Sequence, residues 1–484
     1  MSLQFITGNS GNGKTKYLFN RIVKEAKANP RDNYLVIVPE QFTMQTQRQL
    51  VDLSENKAIM NIDVLSFKRL AYRVFDELGI TNLTVLEETG KNLVLRKLAA
   101  QEADKLGVIG RNLNRIGYIS EVKSLLSELV QYNISPEELG RYIASGRLSD
   151  TLSDKLKDVL VLYEAFEKFM QDKYITAEEI LNVLSNVAEE SAILRNSVIA
   201  FDEFTGFTPI QNQLIKKLFV ISKKIYVTLT IDCREDIFKS RGMQELFDMP
   251  KRTVKSLTEM AAFYGIEVEE PIILDKNYRL AENEELSFME QQLFRKRRCS
   301  FKKAPKHIHI DCLRDPKQEL TKIARRINEL VRNENLRYRD IAIVTGDVNI
   351  YAGYVREIFD KYNIPYFIDA TQEILFHPFI EFIRSIPDIA AQNFSADAVF
   401  RFLRCGFSEL LDSEIDVLEN YVLACGVRGK SAWDKKWVRL PKHKAGYDLE
   451  LLNQSREYIM ELLKPVYQVF SDKKSTVKDY VLGI

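Results

Sequence analysis

Residues 3–15 read Leu-Gln-Phe-Ile-Thr-Gly-Asn-Ser-Gly-Asn-Gly-Lys-Thr, an apolar run followed directly by a glycine-rich loop. The loop, from Gly8 to Thr15, fits the pattern G-x-x-x-x-G-K-[ST]. The sequence around it predicts a strand over 3–7, a helix from Lys14 to about Ala28, and a second strand over 34–38. Strand, loop, helix and strand in this order open a parallel α/β domain.

The residue types of this loop suit the binding of a polyphosphate. Glycines remove side chains that would keep backbone N–H groups away from a phosphate, and the helix N-terminus adds partial positive charge. Lys14 is expected to reach the β- and γ-phosphates, and the Thr15 hydroxyl is a candidate Mg²⁺ ligand. A glycine-rich turn with an incidental lysine is the alternative. The candidate nucleotide-binding residues are Gly8, Asn9, Ser10, Gly11, Asn12, Gly13, Lys14 and Thr15.

A phosphate loop of this kind needs an acid at the end of a neighbouring strand. Residues 198–203 read Val-Ile-Ala-Phe-Asp-Glu, four apolar residues followed by two carboxylates. Asp202 is predicted to hold the Mg²⁺, and Glu203 to polarise the attacking water as general base. Apolar runs that end in acids are also common at ordinary strand ends, so a purely structural role is the alternative.

Composition points to a soluble protein of several domains. The chain has 484 residues, 45% of them hydrophobic and 28% charged. No apolar stretch of about 18 residues and no secretory pattern is present, so neither a membrane span nor export is expected. Five scattered cysteines without C-x-x-C spacing fit a reducing cytoplasm. The net charge of +1 does not by itself indicate a nucleic-acid partner.

Changes in residue pattern along the chain predict two α/β segments, each followed by helices. A strand over 223–232 extends the first α/β segment beyond a helical insertion. Strands over 308–313, 340–346 and 364–369 alternate with helices over 317–333 and 350–362 in the second. The predicted segments are 1–79 (α/β with the loop), 80–195 (helical insertion), 196–294 (α/β with the acids), 295–306 (basic linker), 307–384 (second α/β segment) and 385–484 (helical insertion of that segment, truncated).

Four stretches in this order resemble UvrD/Rep-like superfamily 1 helicases: GNSGNGKT, VPEQFTMQTQRQL, VLSFKRLAYRVF and FDEFTGFTPIQ. The chain is more closely similar to the AddB family, the B subunits of AddAB helicase–nucleases. That similarity lies in five stretches: VPEQFT, DEFTGFTPIQ, NYRLAENEELSFMEQQLF, IPYFIDATQEILFHPFIEFI and LENYVLACGVRGKSAW. The resemblance implies two RecA-like motor lobes with parallel sheets, each carrying a mainly helical insertion.

The resemblance also implies a function. It implies ATP and Mg²⁺ as cofactors, an AddA-type helicase/nuclease subunit as partner, and double- and single-stranded DNA as substrates. The implied process is the resection of double-strand breaks for homologous recombination, with help in recognising the recombination hotspot. Arg279, in Asn277-Tyr278-Arg279, resembles a motif whose arginine reaches the γ-phosphate, and joins Asp202 and Glu203 as a candidate catalytic residue.

Family members are over twice as long as this chain. Their C-terminal part carries a nuclease domain and four cysteines that bind a [4Fe–4S] cluster. The chain is therefore expected to be an N-terminal fragment, and the cluster is expected only outside it.

The chain departs from active helicases of this kind in several places. Active helicases of this kind place an adenine-binding glutamine upstream of the loop, and only seven residues precede Gly8 here. The stretch 230–235 lacks the glutamine that senses the γ-phosphate, Gly206 replaces a second aspartate, and the motif with the arginine finger is not found. Nucleotide binding and, through Glu203, hydrolysis are still expected, whereas these departures weigh against translocation.

Three other functions remain open on the sequence. The chain is alternatively an active superfamily 1 translocase, or a non-catalytic DNA-recognition scaffold with a structural nucleotide site. A small-molecule P-loop kinase is the third, and the second α/β segment and the DEFTGFTPIQ stretch count against it.

Two clusters of basic residues are candidate DNA contacts. Residues 295–306 contain seven bases and no acid, which suits either phosphate neutralisation or a solvated linker. Residues 428–444 interleave seven bases with Trp433 and Trp437, which suits either stacking on single-stranded bases or packing in a core. The four histidines show no metal-ligand spacing, and His307 and His309 are expected to pack on one face of a strand.

Overall fold

The computed structural model describes residues 1–81, 84–108, 110, 116–146, 148–171, 174–295, 299–370, 374–441, 446–472 and 474–484. These residues fall into two units, Met1–Ile310 and Asp311–Ile484. Within the described residues, no helix is both long enough and apolar enough to cross a membrane.

A parallel sheet forms the centre of the first unit. Its strands are β1 (Ser2–Gly8), β2 (Tyr34–Ile37), β3 (Ile62–Leu65), β6 (Val198–Phe201), β7 (Lys224–Thr230), β8 (Glu267–Val268) and β9 (Ile272–Leu274). Hydrogen bonds connect them in the order β3-β2-β6-β7-β1-β8, and β9 also pairs with β1. Every pair is parallel. The α/β class and the strands predicted in this unit are confirmed.

Helices cover both faces of this sheet, as a parallel sheet requires. They are α1 (Lys14–Ala28), α2 (Thr43–Leu53), α3 (Phe67–Leu78), α9 (Pro209–Ile221) and α10 (Asp248–Phe263). A further helix, α11 (Glu284–Gln292), follows β9 in the chain. Side chains of β1 alternate between the two cores: Ile6 packs with α1 and α2, and Phe5 packs with α3, α9 and α10. The bounds of α3 follow from its caps, since the Ser66 side chain accepts from Arg69 N–H and Gly79 adopts φ +70°.

A mainly helical insertion interrupts the sheet between α3 and β6, as predicted. It contains α4 (Glu88–Gln101), α5 (Ile116–Gln131), α6 (Pro136–Ala144), α7 (Asp150–Met170) and α8 (Ile180–Val187), with a two-stranded parallel sheet of β4 (Val85–Leu86) and β5 (Ile175–Thr176). Helices α4 to α7 share a core of their own, around Leu95, Leu126 and Leu162. Inside it the buried Lys91 ammonium is paired with Glu178 at 2.7 Å.

The described residues of the second unit form helices and no strand. The helices are α12 (Pro316–Asn333), α13 (Val348–Lys361), α14 (Pro378–Ala391), α15 (Ala396–Leu403), α16 (Asp412–Cys425), α17 (Lys430–Asp434), α18 (Leu449–Ser471) and α19 (Val477–Gly483). Helices α12 and α13 pack on each other around Leu320, Ile327 and Phe359. Helices α14 to α18 enclose a larger core that is rich in aromatic residues.

The prediction of strands over 308–313, 340–346 and 364–369 is wrong for this structure. Among the residues that the structure describes, these segments have no paired strand, and Ile310, Val344 and Phe367 are 94%, 93% and 89% exposed. A parallel strand needs a hydrogen-bonded neighbour and cover on both faces, whereas α12 and α13 bury their apolar surface mainly on each other. The sequence pattern identifies residues that favour an extended backbone, but it does not supply the neighbour. The described residues therefore contain one large parallel sheet, and the second predicted sheet is not formed.

Candidate functional site

The glycine-rich loop connects β1 to α1 at the carboxyl edge of the sheet. Gly11 and Gly13 adopt φ +87° and +78°, a left-handed conformation that side chains other than glycine rarely adopt. Gly13 precedes α1 without a side-chain cap, so no capping side chain competes for the first N–H groups of that helix. Such a helix start carries partial positive charge and is suited to bind an anion.

The predicted acid lies directly opposite this helix start. Asp202, just beyond β6, is 1% exposed, and its Oδ1 accepts a hydrogen bond from Thr15 Oγ1 at 3.3 Å. The same oxygen accepts a short hydrogen bond from the Thr228 hydroxyl on β7. The second oxygen, Oδ2, is buried and has no hydrogen-bond partner among the described residues. A buried carboxylate oxygen without a donor fits a cation ligand, so Thr15 and Asp202 suit the predicted Mg²⁺.

The strand order explains the size of the gap between loop and acid. Strand β7 lies between β1 and β6, so two inter-strand spacings of about 4.8 Å each separate the loop strand from the acid strand. If β1 and β6 were direct neighbours, the gap between them would be about half as wide. The wider gap accommodates a hydrated metal ion and a phosphate, while Thr228 on the intervening strand holds the Asp202 carboxylate in place.

Glu203 directs its carboxylate into the same space. Thr15 Oγ1 lies 3.4 Å from its Oε1, and the Glu203 side chain is exposed. Its backbone has φ +63°, a left-handed conformation that costs a residue other than glycine roughly 1–2 kcal/mol. Strain of this kind is found at functional sites, where the surrounding structure holds a side chain in a required direction. The exposed carboxylate is positioned to accept a proton from water in the cavity.

Burial and nearby charges act in opposite directions on Lys14. Burial lowers the pKa of its ammonium group, while the carboxylates of Glu203 and Asp202 act to raise it. The Nζ atom donates to the carbonyl oxygen of Asn9 at 3.0 Å. For Asp202, burial raises the pKa of the carboxyl, and the neighbouring Glu203 charge adds to the effect, against the hydrogen bonds from Thr228 and Thr15. A bound cation would reverse this balance at Asp202.

These groups line a single cavity of about 630 Å³, a volume typical of small-molecule sites. Its lining includes most of the loop, both acids and Thr228. Gln49 and Asp52 of α2 also line it, together with Tyr278 and Arg279. The structure thus brings Arg279 to the same cavity as the loop and the two acids, and the exposed Tyr278 ring lies beside Gly13.

Two asparagines of the loop direct their side chains toward the protein. Asn9 donates to Glu290 of α11 at 2.8 Å and accepts from the backbone N–H of Cys233 at 2.9 Å. Asn12 donates to the carbonyl oxygen of Leu274 at 2.6 Å. Their side chains therefore fix the loop. Sequence patterns gave no signal for Glu290, because its partner lies 281 residues away in the chain.

The stretch 230–235, where the resemblance implies the pattern G-D-x-x-Q, ends in Glu235 in place of the glutamine, and Glu235 pairs with the buried Lys251 at 2.7 Å. The aspartate of that pattern is present as Asp232, which forms an ion-pair cluster. Asp232 is 1% exposed and binds Arg234 at 2.6 Å and Arg295 at 2.9 Å. Although burial opposes ionisation, the two guanidinium groups hold the pKa of Asp232 well below its usual range. Gln211, which matches the helicase pattern, instead accepts from the Thr208 N–H in the capping box of α9.

The structure separates the alternatives for the predicted DNA contacts. Trp433 and Trp437 are 0% and 6% exposed and pack against each other with ring centroids 5.3 Å apart, so both belong to the core of the second unit. Stacking of DNA bases on these two rings is excluded by their burial. Within the basic stretch, Arg295 is paired with Asp232 and Lys303 with Glu284. Residues 296–298, 442–445 and thus His443 lie outside the described residues.

A parallel sheet whose first strand leads through a glycine-rich loop into a helix, with an acid at the end of a nearby strand, is typical of the P-loop class of α/β proteins. The family model described as "ADDB, N-terminal" matches residues 5–290. Curated proteins named as the B subunit of an ATP-dependent helicase/deoxyribonuclease are similar over nearly the whole chain. The chain therefore belongs to the AddB family.

The similarity covers this chain almost completely and the relatives in part. The Lachnoclostridium phytofermentans protein is 39% identical over 99% of this chain, and the Clostridium tetani protein is 33% identical over 99%. The Clostridium acetobutylicum protein is 34% identical over 90%. The matched regions are 42%, 42% and 38% of these relatives, so the chain spans about two fifths of their length.

Proposed function

We propose that this chain binds ATP with Mg²⁺ at the cavity between the glycine-rich loop and Asp202. We further propose that it is the helicase-like region of the B subunit of an AddAB-type helicase–nuclease. The observation that carries the nucleotide proposal is the contact of Thr15 Oγ1 with Asp202 Oδ1 at 3.3 Å, beside a buried Asp202 Oδ2 that has no described partner. The sequence predicts the glycine-rich loop and the acid at the strand end separately, and this contact brings the two together.

Several groups of the cavity have a defined part in this proposal. The N–H groups at the start of α1 and the Lys14 ammonium bind the terminal phosphates, and Lys14 exchanges its bond to Asn9 for a bond to phosphate. Thr15 and Asp202 hold Mg²⁺, which supplies positive charge to the phosphates when bound. Glu203 accepts a proton from the attacking water. Arg279, on the wall of the cavity, stabilises negative charge on the transferred phosphate.

The process in which this site acts is proposed from the family. The names of the relatives describe one component of an ATP-dependent helicase and deoxyribonuclease. We propose that the chain works with an AddA-type partner on double- and single-stranded DNA, processes double-strand breaks for homologous recombination, and helps recognise the recombination hotspot. In this proposal the partner is the main motor, since Glu235, paired with Lys251, stands at the position where a motor carries its phosphate-sensing glutamine.

Single-turnover ATP hydrolysis, with and without single-stranded DNA, tests the catalytic part. Wild type is expected to hydrolyse ATP slowly, and Glu203→Gln to bind ATP with unchanged affinity and not hydrolyse it. The same replacement of the glutamine by Glu235 favours a second candidate, a DNA-recognition scaffold whose nucleotide site is structural. ATP binding without hydrolysis in wild type, with or without DNA, would support the scaffold. DNA unwinding by the isolated chain would instead support an autonomous translocase.

A further inference from the structure

One later segment of the chain contacts three of the four variable positions of the glycine-rich loop. This segment, residues 274–280, begins at the last residue of β9 and is called the strap below. Asn277 Nδ2 donates to the carbonyl oxygen of Ser10 at 2.9 Å. The Gly11 carbonyl oxygen accepts from the backbone N–H groups of Tyr278 and Arg279 at 3.0 and 3.3 Å. The strap also supplies the carbonyl oxygen that binds the Asn12 side chain.

The strap lies so close to the loop that it constrains the loop's sequence. A Cβ at Gly11 would lie 2.8 Å from Asn277 Oδ1 and 2.9 Å from Arg279 Cβ. A Cβ at Gly8 would lie 2.6 Å from the Leu274 carbonyl oxygen. Glycine at these two positions is therefore required by the protein side of the loop, in addition to any requirement from a phosphate. The loop and the strap form one packed unit.

The direction of these hydrogen bonds determines which groups of the loop face the cavity. A carbonyl oxygen that faced a phosphate would repel it, so the loop has to turn its carbonyl groups outward. Asn277 holds the Ser10 carbonyl on the strap side. Because the peptide unit is planar and trans, the N–H of Gly11 then points away from the strap. Gly11 itself lines the cavity.

Asn277 is held in the orientation that this contact needs. Its Oδ1 accepts from the backbone N–H of Leu280 at 2.9 Å, which closes a turn within the strap. Its Nδ2 is thereby directed at the Ser10 carbonyl. The next two residues, Tyr278 and Arg279, line the cavity. The turn at Asn277 thus aligns the loop and at the same time brings two side chains to the nucleotide site.

We propose that Asn277 is a positioning residue, which presets the glycine-rich loop for a triphosphate by holding the Ser10 carbonyl away from it. The proposal rests on the proposed function, since it needs a phosphate ligand at this site. Asn277 acts through the loop backbone and does not itself contact the phosphate. Its effect should therefore be the same for ATP and for inorganic tripolyphosphate, which has the phosphate chain without the nucleoside.

The test is calorimetric titration of the 484-residue chain with ATP and with tripolyphosphate, both in Mg²⁺. Asn277→Ala is expected to weaken both ligands about tenfold and by the same factor, as expected for loss of about one hydrogen bond. Asn277→Ser retains a hydroxyl that can accept from Leu280 N–H but is too short to reach Ser10, and should lose as much affinity. Asn20→Ala, an exposed position on α1, is the matched control and should bind as wild type.

The outcomes distinguish this proposal from the proposed function. If wild type binds neither ATP nor tripolyphosphate, the nucleotide site itself is refuted. If wild type binds both, Lys14→Ala binds both far more weakly, and Asn277→Ala or Asn277→Ser retains full affinity, the site stands and the role of Asn277 is refuted. A loss confined to ATP would also overturn it, since Asn277 would then act on the nucleoside. Thermal unfolding of Asn277→Ser without ligand should match wild type, which separates a positioning effect from a general loss of stability.

Discussion

The Thr15 hydroxyl lies 3.3 Å from Asp202 Oδ1, although 187 residues separate the two in the chain. They meet because β1 and β6 run parallel and end at the same edge of the sheet, with β7 between them. The helical insertion accounts for much of the sequence separation and leaves this edge intact. Substitutions at the edge should therefore affect ligand binding, and those in the distant cores should affect stability.

Lys14→Ala tests the loop. Loss of a charge-assisted bond to phosphate should weaken ATP binding by roughly 2–3 kcal/mol, a factor of about 30–150. Thermal unfolding without nucleotide should change little, because burial already disfavours the Lys14 ammonium in the empty site. Equilibrium titration with a fluorescent ATP analogue measures the first effect, and circular dichroism the second. Lys24→Ala, exposed on the same helix, is the control, and equal affinities of the two variants would refute the assignment.

Asp202→Asn is expected to affect protein stability and Mg²⁺-dependent ATP binding in different ways. The buried carboxylate lacks a described partner at Oδ2, so its charge is unfavourable in the empty site. With chelator present, the asparagine variant should unfold at the same or a higher temperature than wild type near neutral pH. The Mg²⁺-dependent part of ATP binding should be lost. A variant clearly less stable than wild type under these conditions would mean that the hydrogen bonds from Thr15 and Thr228 outweigh the cost of burial.

The same residue predicts the direction of a pH dependence. Burial raises the pKa of Asp202 in the folded protein, so the folded state binds this proton more tightly than the unfolded state. The stabilisation from the protonated carboxyl is present at acidic pH and is lost as the pH rises through the folded pKa. The stability of Asp202→Asn relative to wild type should therefore increase from about pH 4 upward in chelator. Denaturant unfolding at several pH values measures this difference, and an opposite slope contradicts the prediction.

Glu203 is expected to lower the free energy of unfolding while its carboxylate supports ATP hydrolysis. Glycine adopts φ +63° without the penalty that glutamate incurs, so Glu203→Gly should raise the free energy of unfolding by roughly 1 kcal/mol. The same variant should lose ATP hydrolysis, because no carboxylate remains to accept the proton. Glu203→Gln is the control: it should lose hydrolysis and keep wild-type stability. A glycine variant that is less stable than the glutamine variant would show that the left-handed backbone carries no strain.

The sequence predicts the first unit well because local and distant signals agree there. The pattern Gly8 to Thr15 determines the loop and the start of α1, and the alternation of apolar residues predicts strands that the sheet does pair. The contacts of Asn9 with Glu290 and of Asn277 with Ser10 were not predictable. The two partners are 281 residues apart in the first contact and 267 residues apart in the second. Only the fold brings these segments together, and the residue pattern of one segment does not indicate the other.

In the second unit the sequence predicts the helices correctly but not the strands. Its helices are predicted by apolar periodicity, and α12 and α13 lie at the predicted places. An amphipathic helix needs only a neighbouring surface on which to bury its apolar face. Its predicted strands are absent from the described residues, because a strand also needs a backbone partner in register. At Trp433 and Trp437 the sequence left two interpretations open. Only the burial of both rings distinguishes core packing from DNA stacking.

Trp433→Ala tests the assignment of that ring to the core. Trp433 is 0% exposed and packs against Phe400 and Trp437, so its removal should lower the free energy of unfolding of the second unit by about 3–5 kcal/mol. The chain has two tryptophans, both in this core, so the remaining Trp437 reports by fluorescence on the unfolding of this unit alone. Phe367→Ala, at a position 89% exposed, is the control and should change little.

Affinity for single-stranded DNA should be unaltered by Trp433→Ala under conditions where the unit stays folded. A loss of DNA affinity with unchanged stability would contradict the core assignment and restore the stacking hypothesis.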